Sequence, residues 1–374
     1  MNNWQDEFPQ APNLCYLNHA AVAPWPQRTR DAVSQFAEEN VIHGARYYPR
    51  WNLVDQRLRE QLRALINAPS ADDISLLKNT SEGLSVIAQG LTWHLGDRIV
   101  ISNQEFPSNR IPWEALAPQG VDVDAVDLSG DDPEASLINA LTPNVKLLSI
   151  SSVQYGTGLR VDLERLGNAC KERGILFCVD AIQSLGVIPM DVTQIHADFV
   201  VADGHKWMLG PEGLALFYCR AALREQLVLR QHGWHMIDRA GDYTQTNWQP
   251  ANDGKRFECG SPNMLCAHAL SASLSLILEY GVDNVQRDVE QRIAALESGL
   301  RESQLTVITP HSASRRAGIL TFQPAIEAQA TYQQLMDAGV ICAPRGGGIR
   351  FSPHFYTPFE TLDKALDILK KISR

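Results

Sequence analysis

The chain has 374 residues, of which 44% are hydrophobic, and it carries a formal net charge of -10 at pH 7. Its length allows about two domains, because domains commonly hold about 100 to 200 residues. An acidic chain does not attract nucleic acid or an anionic membrane surface, so we expect neither as a partner. The N-terminus lacks the segments of a secretory signal, and no run approaches about 18 apolar residues, so we expect a cytoplasmic protein.

The sequence predicts an N-terminal arm, residues 1–13, a large domain, 14–260, and a small domain, 261–374. Two helices, 26–40 and 51–67, follow the arm and carry apolar residues at helical spacing. The large domain is therefore predicted to begin with helices.

From residue 74 onward, strands and helices alternate along the chain. The predicted strands are 74–77, 98–102, 121–128, 146–153, 175–179, 199–202 and 214–219, with helices 81–92, 109–116, 133–141 and 162–173 between them. This alternation predicts an α/β fold with a mainly parallel seven-stranded sheet. The short connection before 214–219 indicates that this last strand is antiparallel.

The region after the loop-rich stretch 233–260 is predicted to be a smaller α+β domain. Its predicted helices are 262–280, 282–302, 325–338 and 358–372, and its predicted strands are 306–308, 319–322 and 349–352. Seven scattered cysteines form no Cys-x-x-Cys pair, so we expect reduced, buried thiols. The histidines are also dispersed, and no metal site is expected.

Two neighbouring strand ends carry the residues with the clearest chemistry. Asp180 follows one apolar strand, with Gln183 three residues later, and Lys206 follows the next apolar run. Ligands of open α/β sheets bind at the carboxyl ends of strands, so Asp180 and Lys206 are expected in one crevice. A lysine can hold pyridoxal 5′-phosphate as a Schiff base, while an aspartate keeps its pyridine nitrogen protonated. The alternative is that Asp180 caps a helix and Lys206 belongs to a polar surface loop.

The strand followed by Asp-x-x-Gln, and then His-Lys and Gly-Pro-x-Gly, resembles the class V aminotransferases, which include cysteine desulfurases, kynureninases and isopenicillin N epimerase. This resemblance implies the fold of type I pyridoxal-phosphate-dependent transferases. It also implies that Lys206 is the Schiff-base lysine and Asp180 the pyridinium partner. By the same likeness, Gln183 donates to the phenolic oxygen of the cofactor and His205 neighbours its phosphate or ring.

Thr80 and Ser81 stand between a strand and a helix, where free backbone N–H groups suit a phosphate. The resemblance places the cofactor phosphate there; the alternative is a simple helix cap. Phe106 matches the position at which desulfurases carry a histidine stacked on the pyridine ring. A phenyl ring can cover the cofactor but cannot transfer a proton, and the alternative is that Phe106 is a core residue.

Two later motifs complete the resemblance. Ser261, in Arg-Phe-Glu-x-Gly-Ser-Pro-Asn, matches a hydroxyl that reaches the phosphate of the neighbouring subunit, which implies a homodimer with composite sites. It could instead cap the helix starting at Pro262. Arg350 follows three glycines and is expected to bind the α-carboxylate of the substrate, since arginine forms bidentate pairs with carboxylates. Its alternative role is a surface salt bridge.

The sequence departs from the family pattern at two positions. The family often has Ser, Thr or Asn three residues before the lysine, where Asp203 stands here, and an ionised Asp203 would repel a phosphate. Asp203 must therefore turn away or serve another role. Desulfurases also need a nucleophilic cysteine on a mobile loop, but Cys342 lies in an apolar run and is expected to be a buried thiol.

The sequence therefore predicts a pyridoxal-phosphate-dependent enzyme that acts on an α-amino acid by desulfurase-like or carbon–sulfur lyase β-elimination. Transamination and epimerisation remain alternatives, as does a non-catalytic binding protein that kept the fold. A dehydrogenase has no support, because no Gly-x-Gly-x-x-Gly joins the first strand to its helix. Further candidate substrate contacts come from loops: His19, Arg46, Tyr47, Gln154, Trp234 and Arg345.

Overall fold

The computed structural model describes residues 4–244 and 246–373, so residues 1–3 of the predicted arm and Arg374 of the predicted small domain lie outside the described residues. Its helices are α1 Gln27–His43, α2 Tyr48–Leu65, α3 Thr80–Gly90, α4 Ile111–Glu114, α5 Pro133–Ala140, α6 Leu163–Arg173, α7 Ala221–Arg224, α8 Met264–Tyr280, α9 Val282–Glu302, α10 Ala328–Asp337 and α11 Phe359–Ile372. Its strands are β1 Cys15–Tyr16, β2 Ile74–Leu77, β3 Arg98–Ser102, β4 Asp122–Val126, β5 Val145–Ser151, β6 Leu176–Asp180, β7 Phe199–Asp203, β8 Ala215–Cys219, β9 Thr306–Val307, β10 Leu320–Gln323, β11 Val340–Ile341, β12 Ala343–Arg345 and β13 Gly348–Phe351.

A seven-stranded sheet forms the centre of the molecule, in the order β2-β8-β7-β6-β5-β3-β4. Strands β3 to β7 pair in parallel, whereas β8 runs antiparallel to both β2 and β7. Every residue of β7 and β8 is buried, as expected for strands covered on both faces. The mainly parallel sheet and the antiparallel last strand were both predicted, and both predictions are confirmed.

The pairing of β6 with β7 positions the residues of chemical interest. The two strands are adjacent and parallel, with Asp180 opposite Val201. Their carboxyl ends therefore lie at the same edge of the sheet, where β6 ends at Asp180 and β7 ends at Asp203. Ligands of open α/β sheets bind at this edge.

A second, four-stranded antiparallel sheet, β12-β13-β10-β9, lies in the C-terminal part of the chain. Arg350 of β13 is opposite Ala343 of β12 and Thr321 of β10. The short strand β1 pairs in parallel with β11, so the segment just after the arm contacts this C-terminal part. The domain boundaries themselves stay a prediction.

The described part of the arm packs against the rest of the chain. The ring of Phe8 stacks on that of Tyr356, with centroids 3.4 Å apart, and Glu7 pairs with Arg28 at 2.7 Å. In the part of the chain that the structure describes, no single helix has the length and apolar composition to cross a membrane. Helices α8 and α9 pass that test only when taken together, and they are bent by 82° relative to each other.

The predicted helix 109–116 is wrong in its extent. The structure has only the four-residue helix α4 there, preceded by a 3-10 turn at Pro107–Asn109 and followed by another at Ala117–Gln119. Three prolines explain the interruption, Pro107, Pro112 and Pro118, because proline has no N–H to donate inside a helix.

Candidate active site

A cavity of about 260 Å³ opens at the carboxyl edge of the large sheet. Every predicted catalytic, cofactor-binding and carboxylate-binding residue lines this cavity except Ser261. Strand β6 supplies Asp180, the turn after β7 supplies His205 and Lys206, and β13 supplies Arg350. Residues more than 150 positions apart in sequence therefore meet because the two sheets place their ends together.

The Asp180 carboxyl group is buried at the base of this cavity. Its Oδ1 accepts a hydrogen bond from the backbone N–H of Ile182 at 3.0 Å. Burial raises the pKa of Asp180, and the charge of Glu105 adds to that rise, while the positive charge of Lys206 opposes it. A carboxyl group with a raised pKa binds a proton more strongly than an ordinary aspartate does.

The Lys206 amine lies in the same cavity, with Nζ 5.8 Å from the centroid of the Phe106 ring. Burial lowers the pKa of Lys206, the charge of Asp180 opposes this change, and the charge of Arg350 adds to it. A lowered pKa favours the neutral amine, which is the form that acts as a nucleophile or base.

Phe106 forms part of the cavity wall and is not a core residue, since 43% of it is exposed. Its ring packs edge-on against Tyr155, with centroids 5.1 Å apart. The alternative interpretation, in which Phe106 is a core residue, is therefore wrong.

The Gln183 side chain is fixed by two hydrogen bonds. Its Oε1 accepts from Trp207 Nε1 at 3.0 Å, and its Nε2 donates to the carbonyl oxygen of Ala20 at 2.9 Å. Because an indole N–H can only donate, this contact determines which amide atom is the oxygen. One hydrogen of the amide nitrogen remains for a ligand in the cavity.

The start of helix α3 forms the polar end of the cavity. Asn79 caps the helix, with its side chain accepting from Glu82 N at 2.9 Å, so Thr80 and Ser81 are not the capping residues. The N–H groups of Thr80 and Ser81 have no partner within the helix, because the first turn lacks acceptors. The Ser81 hydroxyl contacts Ser108 Oγ at 2.9 Å. Such a turn suits the binding of a phosphate group.

Arg350 presents a buried guanidinium to the cavity. It is 2% exposed, and Nη1 donates to the carbonyl oxygen of Tyr155 at 2.8 Å. Its Nε makes no hydrogen bond, and no carboxylate among the described residues lies within ion-pair distance of it. Burial, with a contribution from Arg345, lowers the pKa of Arg350 to about 10. The alternative interpretation, in which Arg350 forms a surface salt bridge, is therefore wrong. The guanidinium is free to bind a ligand carboxylate.

Asp203 and His205 also line the cavity, beside the start of α3. Asp203 N donates to Thr80 Oγ1 at 3.1 Å. Asp203 Oδ1 lies 3.0 Å from His205 Nδ1, but the angles are not those of a hydrogen bond. Asp203 therefore does not turn away from the predicted phosphate site.

Glu105 is a buried residue whose role sequence reasoning missed. It accepts hydrogen bonds from Ser102 Oγ, Asn109 Nδ2 and Ser151 N, at 2.8, 2.8 and 3.0 Å. These contacts join the ends of β3 and β5 next to Asp180, whose pKa Glu105 raises. Its position after a strand, within Glu-Phe-Pro-Ser-Asn, was the available signal.

The loop residues suggested as substrate contacts have diverse locations. Arg345 lines the cavity, whereas Gln154 is buried and donates to Glu105 at 3.2 Å. His19 is buried outside the cavity wall, bonded to Ser352 and Tyr356, and burial lowers its pKa to about 4. Arg46 is exposed and Tyr47 partly exposed, and neither lines the cavity; Trp234 lines a separate cavity of about 730 Å³.

None of the seven cysteines lines the candidate site. Cys342 is 2% exposed, and burial raises the pKa of its thiol to about 12. The reactive form of cysteine is the thiolate, so Cys342 is an inert thiol.

The family model described as "Aminotransferase class-V" matches residues 15–363. The chain belongs to the class V aminotransferase family. The predicted family, the α/β fold of type I and the prediction of an enzyme are therefore confirmed.

Similar proteins cover almost the whole chain. A probable cysteine desulfurase of Pyrococcus abyssi is 26% identical over 391 residues, which cover 98% of this chain and 96% of that protein. One from Streptomyces coelicolor is 30% identical over 325 residues, covering 83% of this chain and 77% of the relative.

Two solved structures share the fold. The apo structure of a cysteine desulfurase from Thermococcus onnurineus NA1 has a TM-score of 0.87 at 23% identity, covering 99% of this chain and 97% of that one. The cystine C–S lyase C-DES, in complex with its product cysteine persulfide, has a TM-score of 0.90 at 24% identity. The match covers 97% of this chain and 99% of that one. At these identities the likeness concerns the fold.

The residues of the cavity fit pyridoxal 5′-phosphate, the cofactor that the sequence predicts. The donors at the start of α3 suit its phosphate, Asp180 suits its pyridine nitrogen and Lys206 can bond to its aldehyde. Gln183 has an amide hydrogen left for its phenolic oxygen. Asp203, which is bonded through its backbone to Thr80 at the start of α3, conflicts with a phosphate there.

Proposed function

We propose that this protein is a pyridoxal 5′-phosphate-dependent carbon–sulfur lyase, of cysteine desulfurase-like type, that breaks the Cβ–S bond of a cysteine-like amino acid by β-elimination. One observation carries the proposal: the cavity combines Lys206, Asp180 and Arg350 but holds no cysteine that could take up sulfur. The relatives named as cysteine desulfurases and the fold neighbour described as a cystine C–S lyase support the same chemistry.

The proposed roles follow from the chemistry of each side chain. When bound, pyridoxal 5′-phosphate draws electrons from the substrate Cα and so makes its hydrogen acidic. Arg350 binds the substrate carboxylate through its guanidinium and orients the Cα hydrogen. The Lys206 amine, in the neutral form favoured by burial, takes that proton. Asp180 supplies a carboxylate of raised proton affinity at the ring.

Phe106 gives the cavity an apolar wall that limits access of water to the reacting atoms. A phenyl ring can neither donate nor accept a proton, so Phe106 has no part in the proton transfers, which we assign to Lys206. The proton taken from Cα can then be returned to the departing sulfur.

The fate of sulfur follows from the absence of a usable cysteine. When the Cβ–S bond breaks, its electron pair leaves with the sulfur, which departs as a thiolate and is protonated. The three-carbon remainder is 2-aminoacrylate, which water converts to pyruvate and ammonia. The sulfur product is therefore a free small molecule and not a persulfide on Cys342.

The test is an analysis of products. Purified protein with added pyridoxal 5′-phosphate is incubated with L-cysteine and with L-cystine, and pyruvate, ammonia, sulfide and cysteine persulfide are measured. The proposal expects pyruvate and ammonia in equal amounts. A keto acid that retains the sulfur substituent would instead indicate transamination, and recovery of only the D-amino acid would indicate epimerisation.

We further propose that two copies of the chain form a homodimer in which Ser261 reaches the phosphate site of the partner subunit. Ser261 is exposed and is not the cap of α8, whose first turn is capped by Asn263. Light scattering tests the dimer, and the cofactor affinity of a Ser261→Ala variant tests the composite site.

The cytoplasmic location and the lack of nucleic-acid or membrane partners stay predictions.

A further inference from the structure

Asp203 is the residue of the candidate site that the proposed chemistry does not explain. Its backbone N–H donates to Thr80 Oγ1, so the residue is held against the first turn of α3, and it lines the same cavity as Ser81. It is 6% exposed, and its Oδ1 accepts no hydrogen bond. A buried carboxylate without such a bond is costly, so its presence calls for a compensating contact.

The same turn is suited to an anion, which makes this carboxylate a problem when a phosphate binds. The free N–H groups of Thr80 and Ser81 favour negative charge. An ionised Asp203 beside a phosphate dianion would repel it strongly in a poorly solvated cavity. A positive charge must therefore enter the site with the phosphate.

The groups around Asp203 leave one candidate for that charge. The charged and titratable groups that line the cavity with it or act on it are Asp180 at the end of β6, His205 and Lys206 after β7, Glu212 in the following turn, Cys266 on α8, Arg345 of β12 and Arg350 of β13. Of the cationic side chains among the described residues, only that of His205 lies within ion-pair distance of the Asp203 carboxylate. Lys206 bonds to the cofactor aldehyde and so cannot serve the phosphate. His205 Nδ1 lies 3.0 Å from Asp203 Oδ1, and an imidazole can gain a proton in the physiological pH range.

We propose that Asp203 and His205 act as a pair that takes up one proton from solvent when the cofactor phosphate binds. Asp203 accepts the Nδ1 hydrogen and stabilises the protonated imidazole, and the Nε2 hydrogen is then available to the phosphate. The pair is neutral overall, so the phosphate no longer meets an uncompensated carboxylate. This inference rests on the proposed function, because it needs the phosphate of pyridoxal 5′-phosphate at the start of α3.

The consequence is that cofactor affinity depends on pH. Binding that takes up one proton weakens about tenfold for each unit by which pH rises. A phosphate monoester is already a dianion above about pH 7, so the phosphate itself adds little to this slope. A proton taken up at the pyridine nitrogen beside Asp180 is common to wild type and Asp203 variants, so the difference between their slopes measures the pair. Asp203 is thus a positioning residue for His205.

The experiment uses the full chain, freed of cofactor, and titrates it from about pH 7 to about pH 9. One ligand is pyridoxal 5′-phosphate, followed by the visible absorbance of the lysine-bound form. The other is pyridoxine 5′-phosphate, which has no aldehyde and cannot bond to Lys206. Its dissociation constant and the number of protons taken up are measured by calorimetry in buffers of different ionisation enthalpy.

For pyridoxine 5′-phosphate, the dissociation constant of wild-type protein is expected to rise about tenfold more per pH unit than that of the Asp203→Ser variant, with uptake of about one more proton. The variant should also bind at least about tenfold more tightly near pH 9. Asp203→Asn, which keeps the shape of the side chain, should behave similarly and serves if the serine variant does not fold. Glu212→Gln, which removes an exposed carboxylate of the same cavity, should keep the wild-type slope.

A wild-type slope that persists in both Asp203 variants would overturn the inference and assign the proton to another group, such as Lys206. A wild-type dissociation constant that does not change with pH, with the absorbance band still formed by pyridoxal 5′-phosphate, would overturn the inference alone. No band at any pH would overturn the proposed function and this inference with it.

Discussion

Asp180 and Lys206 follow adjacent parallel strands and meet in one cavity, where each favours the charged form of the other. Burial acts in the opposite sense on both groups and favours their neutral forms. The balance leaves a carboxyl of raised pKa and an amine of lowered pKa side by side. The neutral amine of Lys206 is the form that can take a proton from Cα, and the carboxyl of Asp180 is the group suited to the pyridine nitrogen.

The raised pKa of Asp180 gives the cofactor-free protein a pH-dependent stability. The folded chain binds this proton more tightly than the unfolded chain, whose carboxyl has the ordinary value of 3.8. Stability is therefore lost as pH rises from that value toward the raised one. Asparagine does not titrate, so Asp180→Asn removes this loss. The free energy of unfolding of the variant minus that of wild type should therefore be larger near pH 8 than near pH 4, by about 1 kcal/mol or more. Urea unfolding at the two pH values measures the difference, and an equal difference at both would contradict the account.

Arg350→Lys should impair substrate binding more than turnover. Lysine keeps the charge but cannot make two parallel hydrogen bonds to a carboxylate. Losing one charge-assisted bond costs about 1.5 to 3 kcal/mol, so kcat/KM should fall by about 10- to 100-fold, mainly through KM. Steady-state kinetics measure this effect. The exposed Arg30→Lys is the matched control and should leave the kinetics unchanged.

Cys342→Ala should retain the elimination activity, because the buried thiol takes no part in sulfur release. Loss of the sulfur atom from a packed site should cost about 1 kcal/mol of stability. Pyruvate formation from cystine and a thermal unfolding curve measure the two effects. A folded variant that no longer releases sulfur would show that Cys342 carries a persulfide after all.

The Glu258 carboxylate of the Arg-Phe-Glu motif has a structural role. It accepts from Arg59 Nη1 and Nη2 at 2.7 and 2.8 Å, and both side chains are buried. Glu258→Ala should destabilise the protein by about 3 kcal/mol, because it leaves a buried guanidinium short of a partner. Glu60→Ala breaks the exposed pair with Arg63 and should cost less than about 1 kcal/mol. Similar midpoints of denaturant unfolding for the two variants would argue against this role.

The elements that sequence predicted well are those with strong local patterns. Strand β2 and helix α9 have the predicted bounds, 74–77 and 282–302. The parallel sheet followed from the alternation of strand and helix, and the cavity residues followed from strand ends and the family resemblance. Local periodicity and strand-end chemistry are properties of short segments, so they can be read without knowledge of the fold.

The features that escaped prediction depend on contacts between distant segments. The two-residue strand β1 pairs with β11, more than 300 positions later, and no local pattern specifies that pairing. Glu105 appeared only as part of a motif, because its significance comes from donors on two strand ends. His19 was suggested as a substrate contact but bonds to Ser352 and Tyr356 inside the protein. Tertiary packing, which no short segment specifies, decides all three.

The most direct test of the central claim compares product formation from L-cystine by wild type and by Lys206→Ala, each with added pyridoxal 5′-phosphate. Wild type should show a visible absorbance band and release pyruvate and cysteine persulfide. Lys206→Ala should lose the band of lysine-bound cofactor and at least about 100-fold of the rate, since the group that moves the Cα proton is gone. Equal pyruvate release by the two proteins, or none by wild type on cystine or cysteine, would contradict the account.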